Sequence, residues 1–464
     1  MAAGQCEKVM TLIRERISSR ALLPGEKLPS VRSLASTTGI SKSTVVEAYD
    51  RLAAGGLIEA RRGAGFYVGS QPVPHSLKTA SRPTHREVDP LWMSRQALEP
   101  RPGMLSPGCG WLPESWLPQH IIARALRGLA RNAGPQVLAY AEPKGFAPLR
   151  TLIARRLAAR EVKAGVEDIV LADSATSALD LVLRFLTEPG DTILVDDPCY
   201  FNFLAGLRAG RLRVVSVPFS PGGPDVEAFA HLAETERPRL YLTNAGLQNP
   251  TGWKLSPVTA HKVLKLAERH DLLIIEDEIF ADIEAEPAPR YAAMDGLERV
   301  IVIGSFSKTV SAAFRTGFVA IRPDWVEDFT DFRIASRFGG SQLTEALLHA
   351  VLSDGAYRRH VDALRTRLVA SGEAVAAELR ALGFEILNPV LGFFFLWCRL
   401  PDSLDATMVS KIALEHGLVL APGNVFSQSG RATDLMRFNV AQSDSQQVFR
   451  LLRDVIAQAR RAGN

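Results

Sequence analysis

The stretch Ser305–Arg315, SFSKTVSAAFR, carries the residues best suited to chemistry. It follows the apolar run Val300–Ile303 and Gly304, which reads as a buried strand because the run is β-branched and bounded by a turn residue. Ser305 and Lys308 therefore leave the carboxyl end of a strand, where open α/β sheets place ligands. A lysine amine there, flanked by serines and followed by Arg315, suits a phosphorylated aldehyde. Lys308 would form a Schiff base, and Ser305 and Arg315 would hold the phosphate by hydrogen bond and charge-assisted fork. An isolated S-x-x-K is common in polar surface loops, so the weight rests on what accompanies it.

Several accompanying residues also close strand-like runs. Ser174-Ala175-Thr176 opens the helical pattern SALDLVLRFL, and a helix N-terminus offers free N–H groups to an anion. Asp197-Pro198-Cys199-Tyr200 ends another run, with Tyr200 able to stack on an aromatic ring. Asn249-Pro250-Thr251-Gly252 is a turn in which Asn249 can bond a ring oxygen. Asp277 follows LLIIE, and a carboxylate at the end of a buried strand needs a partner, such as a protonated pyridine nitrogen. Arg437, before FNVA, can fork onto a carboxylate or serve a structural ion pair.

The elements that position these residues follow from the whole chain. Its 464 residues are enough for two to four domains. Hydrophobic content of 47% and charged content of 22% fit a soluble globular protein, and no apolar run is long enough to span a membrane. MAAGQCEKVM lacks the pattern of a secretory signal, and Cys6, Cys109, Cys199 and Cys398 form neither a disulfide framework nor a metal pattern. The expected location is the cytoplasm. Residues 1–70 hold 10 Lys+Arg against 6 Asp+Glu, leaving 44 of each sign elsewhere, so the net charge of +4 belongs to the N-terminal part. A basic module on a neutral body points to nucleic acid.

Within that module, Val9, Leu12, Ile13 and Ile17 mark one helix face. Ser30 caps a second helix, and Ser41 caps a third that carries Val45, Ala48, Tyr49 and Leu52 on one side. LIEA, RRGAG and FYV then read as strand, loop, strand. Three helices and a hairpin predict a winged helix-turn-helix over 1–70, with Lys42, Ser43 and Thr44 meeting DNA from the third helix and Arg61, Arg62 and Gly63 at the wing. Residues 71–90, rich in Pro, Ser and Thr, read as a linker. Over 91–464, VEDIVLAD, DTILVDD, LRVVSVPF, RLYLTNA, DLLIIEDE and VIVIGS alternate with helical patterns, which predicts an α/β fold with a mostly parallel doubly wound sheet. ALGFEIL, GFFFLWCRL and the MRFNVA region predict a smaller C-terminal α/β lobe.

LPSVRSLA, GISKSTVVEAYDRL and GLIEARRGAGFYV make residues from about Cys6 to Val68 resemble the GntR family of bacterial repressors. That resemblance implies DNA contacts from Arg32, Lys42, Ser43, Thr44, Arg61 and Gly63. From about Leu105 onward the chain resembles fold type I pyridoxal-phosphate enzymes of the aspartate aminotransferase group, and the whole resembles MocR-type transcriptional regulators. By this likeness Lys308 carries pyridoxal 5'-phosphate as an aldimine, Asp277 holds the ring nitrogen, Tyr200 stacks and Asn249 bonds the 3' oxygen. Ala175, Thr176, Ser305 and Arg315 take the phosphate, Tyr140 reaches the neighbouring subunit's phosphate in a homodimer, and Arg437 takes a ligand carboxylate.

Three departures stand out: Phe280 where tyrosine is usual, Ala175 for a glycine, and Ala312-Ala313 for Pro-Gly. They weigh against efficient transamination. The expected function is a DNA-binding regulator that senses a small amine, an amino acid or the B6 vitamer. The alternative is a working aminotransferase that carries a winged helix.

Overall fold

The computed structural model describes residues 2–18, 21–22, 25–61, 64–69, 88–99, 103–132, 134, 138–388 and 392–463. The chain divides into two compact units, Met1–Arg86 and Glu87–Asn464.

The first unit contains α1 (Ala2–Ser18), α2 (Val31–Thr38), α3 (Lys42–Ala54) and an antiparallel hairpin of β1 (Ile58–Arg61) and β2 (Gly65–Val68). Its core follows from helical spacing. Cys6, Val9, Met10 and Ile13 of α1 are buried with Val45, Ala48, Tyr49 and Leu52 of α3. Each fully buried aliphatic side chain contributes roughly 2 kcal/mol. Tyr49 also donates its hydroxyl to the Pro29 carbonyl at 2.9 Å, tying α3 to the turn before α2. Ser30 and Ser41 accept from the backbone N–H groups of Ser33 and Thr44, so both helix starts are capped.

In the second unit, Asp89 caps α4 (Pro90–Leu98), accepting from Trp92 N–H at 2.6 Å. The main sheet comprises β3 (Ile169–Ala172), β4 (Thr192–Asp197), β5 (Arg213–Ser220), β6 (Gly223–Pro224), β7 (Leu240–Thr243), β8 (Leu273–Asp277), β9 (Val300–Ser305) and β10 (Gly317–Ala320). Their spatial order is β3-β10-β9-β8-β7-β4-β5-β6. The run β9-β8-β7-β4-β5 is parallel, whereas β10 is antiparallel to both its neighbours. The sheet is therefore mixed and mostly parallel. Alternate residues enter different cores: Leu171 and Leu194 lie in one, Val170 and Val195 in the other. Burial on both faces explains why these strands read as continuous apolar runs.

A second sheet of β11 (Glu385–Ile386), β12 (Phe395–Arg399), β13 (Ala421–Pro422) and β14 (Leu435–Asn439) forms the C-terminal lobe, in the order β11-β12-β14-β13. ALGFEIL supplies only a two-residue strand there. The long helix Gly355–Ala381 joins the lobes: its Tyr357 hydroxyl bonds the Thr309 hydroxyl at 2.8 Å, and its Ser371 hydroxyl donates to the Val440 carbonyl at 3.1 Å. Among the described residues, no helix is long and apolar enough to cross a membrane.

Candidate functional site

The parallel strands end at one edge, and the residues that follow them line a single cavity of about 330 Å³. Ala175 and Thr176 follow β3, Tyr200 follows β4, Asp277 ends β8, and Ser305 and Lys308 come from β9 and its following loop. Because β10 runs antiparallel, its start lies at this same edge, with Gly317 opposite Ser305 and Ala172, and this brings Arg315 into the cavity wall. Gly317 is required there, since a Cβ would lie 2.6 Å from the Ala175 nitrogen.

Lys308 donates from Nζ to the Gly110 carbonyl at 2.7 Å. Burial and the nearby Arg437 guanidinium pull its ammonium down to about 8, against the opposing pull of Asp277. Asp277 is buried, and burial pushes its carboxyl up to about 7. Its Oδ1 accepts from Ile279 N–H at 3.0 Å. Phe280 is buried among Phe393, Phe394 and Phe395, with the Lys308 Nζ 5.9 Å from its ring centre.

The helix Ala175–Leu186 is capped by Ser174, whose hydroxyl accepts from Ser177 N–H at 3.0 Å. The N–H groups of Ala175 and Thr176 make no hydrogen bond among the described residues, and both residues line the cavity at the start of the helix, where free donors suit an anion. Ser305 shares its hydroxyl with Ser307 at 3.0 Å. Arg315 is exposed, sits in the left-handed region at φ 46°, and has no acidic partner among the described residues. A non-glycine residue held there stores about 1–3 kcal/mol of strain, as ligand clamps often do.

Asn249 and Arg437 lie behind the cavity wall. Arg437 is fully buried, donating to the Asn249 Oδ1 at 2.8 Å and to the Gly108 carbonyl at 2.7 Å. Its Nε has no hydrogen-bond partner among the described residues, and the ring of Phe395 lies 4.1 Å from its guanidinium carbon. Burial draws it down to about 10. The structural ion pair open to Arg437 in the sequence is therefore absent among the described residues. Tyr140 is not part of this wall. It is 82% exposed and stacks edge-on against Phe338, itself exposed.

Sequence reasoning missed the loop Gly108–Trp111 and the α4 residues Met93, Ser94 and Leu98, which also line the cavity. The loop is held by Asn439, which donates to the carbonyls of Cys109 and Trp111. Its glycines between prolines, SPGCGWLP, were the available signal. Cys109 is buried beside Lys308, and burial pushes its thiol up to about 11.

In the first unit, Arg32, Lys42, Ser43 and Arg61 are exposed and Thr44 is half-buried. Arg61 lies over the Tyr67 ring at 4.3 Å. Arg32, Lys42 and Arg61 have no acidic partner among the described residues. Arg62 and Gly63 lie outside the described residues.

Residues 112–455 match the family described as aminotransferase class I and II, and residues 5–68 match the bacterial regulatory proteins of the gntR family. The chain is 31% identical over 441 residues to the uncharacterized HTH-type transcriptional regulator YdcR of Escherichia coli (strain K12), covering 92% of this chain and 93% of that protein. It is 29% identical to the probable rhizopine catabolism regulatory protein MocR of Rhizobium meliloti, over 79% of this chain and 75% of that one. The chain belongs to the MocR-type regulators. This MocR-type chain joins a GntR helix-turn-helix to an aminotransferase-like unit. Its fold is shared with the α-aminoadipate aminotransferase LysN of Thermus thermophilus, crystallised with N-(5'-phosphopyridoxyl)-L-leucine, at a TM-score of 0.72 and 24% identity over 80% of this chain and 95% of that one.

Proposed function

We propose that this chain is a DNA-binding regulator whose aminotransferase-like unit binds pyridoxal 5'-phosphate and senses a small amine or amino acid. The observation that carries the reading is a pair of cations at the cavity, half-buried Lys308 and fully buried Arg437, neither bonded to a carboxylate among the described residues. Burying unpaired charge is costly, so such groups await a partner. The cavity fits the cofactor. Ala175 N–H, Thr176 N–H, Ser305 and Arg315 would hold its phosphate, Tyr200 its ring face, and Asp277 its ring nitrogen. Asn249 would face its 3' oxygen.

When bound, the cofactor supplies an aldehyde and an electron-withdrawing ring. Lys308 is the amine that binds the aldehyde, and its lowered proton affinity keeps a share of it neutral near pH 8. Arg437 would clamp the carboxylate of an incoming amino acid, exchanging the Asn249 and Gly108 oxygens for a charged one. Displacing Lys308 from the aldehyde would bias an equilibrium that the winged helix reports. The exposed pair Tyr140 and Phe338 supports a homodimer in which Tyr140 reaches a neighbouring site.

The working-aminotransferase reading has one observation in its favour: a lysine pulled down to about 8 is suited to proton transfer. Repeated transfer of amino groups to keto acids would establish it. The sensor reading expects amino acids to shift the visible spectrum with little or no such turnover.

Purified protein should be yellow and release pyridoxal phosphate on denaturation. Lys308→Ala should retain no cofactor that borohydride can fix. A colourless protein that takes up no added cofactor would sink the sensor reading and leave the unit a dimerisation body.

On the DNA side, Lys42→Ala and Arg61→Ala should each weaken operator binding and reduce its salt slope by about one, with the visible spectrum unchanged. Normal binding by both variants would place the DNA face elsewhere.

Phe280 lies near the lysine, its ring centre 5.9 Å from the Lys308 Nζ, and carries no hydroxyl. Phe280→Tyr should add a donor toward the 3' oxygen, favour its anionic form, and lower the pH midpoint at which the bound chromophore titrates. An unmoved midpoint would mean that this side chain does not meet the ring.

A further inference from the structure

The cavity has a wall that the roles above leave unused. Met93, Ser94 and Leu98 of α4 line it together with Lys308 and Arg315. Trp92 and Met93 are buried in a cluster with Phe201, Trp397 and Phe426, which anchors α4 to the unit's own core. Asn424 donates to the Val88 carbonyl at 3.1 Å and holds the chain just before the helix. Leu98, at the other end of α4, is 73% exposed and stands at the rim. This wall is also the cavity element nearest in sequence to residues 71–87, which lead from the winged helix.

The charge inventory then limits what can bind. The charged residues lining the cavity, among those described, are Asp277, Lys308 and Arg315. Arg437 lies just behind Gly110, where a Cβ would be 3.8 Å from Lys308 Nζ and 3.9 Å from Arg437 Nη2. Under the reading above, all four are already engaged: Lys308 by the aldehyde, Arg315 by the phosphate, Arg437 by one carboxylate, Asp277 by the ring nitrogen. Among the described residues of one subunit, no cation in this wall remains for a second carboxylate, and no carboxylate for a second amine. What faces the rest of a ligand carries no charge and is mainly apolar: Met93, Leu98, Trp111, Phe201 and Ile279, with Ser94 and Asn202 as neutral polar groups. A distal charge placed there would lose its water without gaining an opposite charge, whereas a hydrocarbon side chain would be stabilised by losing contact with water.

We propose that the effector is an amine with one carboxylate and an apolar side chain, and that α4 reads that side chain through Met93 and Leu98. This rests on the cofactor-binding sensor reading and names the ligand class for the same site. Ligand identity is thereby registered on the helix that follows the linker.

Full-length protein reconstituted with pyridoxal phosphate tests it by titration with L-leucine, L-phenylalanine, L-glutamate and 1,4-diaminobutane, read by visible absorbance. Leucine and phenylalanine should bind at least ~10-fold more tightly than glutamate, and the diamine should give no shift, in line with the discrimination a hydrophobic pocket supplies. Leu98→Arg, at a position exposed enough to accept it, should weaken leucine and strengthen glutamate, moving their ratio by about 100-fold. A merely structural role for Leu98 would change both affinities together and leave the ratio alone. Glutamate binding as tight as leucine in the unaltered protein, or an unmoved ratio in the variant, would overturn this inference while the sensor reading stands. No spectral response to any of the four probes, in protein that has taken up cofactor, would overturn both.

Discussion

Arg437→Ala should abolish the spectral response to amino acids at concentrations that saturate the unaltered protein, while cofactor uptake persists. The guanidinium is fully buried and its bonds go to neutral oxygens of Asn249 and Gly108. A ligand carboxylate that reaches it forms a desolvated, charge-assisted fork, and truncating one partner of such a pair costs about 2–5 kcal/mol. That corresponds to roughly 30-fold to several thousand-fold in apparent affinity. Arg437→Lys should rescue little, since a point charge cannot reproduce the fork or the contact with Phe395 at 4.1 Å. Calorimetric or absorbance titration with an amino acid and with its decarboxylated amine separates the contributions. Loss for the first and not the second assigns Arg437 to the carboxylate. An effector without a carboxylate, such as the vitamer itself, would leave the variant responsive.

Asp277→Asn should have opposite effects on the cofactor-free and cofactor-bound protein. Burial raises the folded-state value of this carboxyl from 3.8 to about 7, with Glu278 adding to the shift and Lys308 opposing it. The unfolded chain gives up this proton at lower pH than the fold does. Ionisation therefore costs nothing below the unfolded value. Between about pH 4 and pH 7 stability falls, and above pH 7 the loss is complete, on the order of 4 kcal/mol. The asparagine variant lacks this loss. Urea denaturation of cofactor-free protein should find it more stable than the unaltered chain at pH 8 and no more stable at pH 4. With cofactor the order reverses at pH 8, because a protonated ring nitrogen pairs with the carboxylate and not with the amide. Retention of pyridoxal phosphate on dialysis should then drop by at least ~100-fold, the scale of a lost buried charge pair. Equal stability of the two cofactor-free proteins at pH 8 would mean that Asp277 is not isolated as its surroundings imply.

Much of the large sheet is legible in the sequence because its central strands are buried on both faces. VIVIGS and TILVDD are continuous apolar runs for that reason, and the residues that follow them fall at one edge by the geometry of parallel strands. β10 is not legible. GFVA is four residues long, too short for periodicity to speak, and its place is set by pairing with β3, far away in the chain. Its reversal is what gives Arg315 access to the cavity. β13, two residues long, escapes for the same reason. Arg437 was legible as a cation near a strand. Its bond to Asn249, 188 positions earlier, was not, because nothing local in FNVA or NPTG encodes the partner. Nothing in PLWMSRQAL, the α4 sequence, marks it as part of a site. Only its packing on Phe201 and Phe426 turns Met93 and Leu98 into cavity wall. In the winged helix the spacing of Val45, Ala48, Tyr49 and Leu52 was sufficient, since all four are buried on one face of α3.

Operator affinity and cofactor absorbance, followed in one titration of the full-length protein, decide whether the aminotransferase-like unit governs the winged helix. The probe is labelled DNA from upstream of the protein's own coding sequence, at fixed salt, titrated with an amino acid that shifts the spectrum. DNA affinity and absorbance should change together with one midpoint, and Lys308→Ala should show neither change. DNA affinity that stays constant while the absorbance titrates to completion, or many cycles of amino-group transfer to a keto acid under the same conditions, would contradict the sensor.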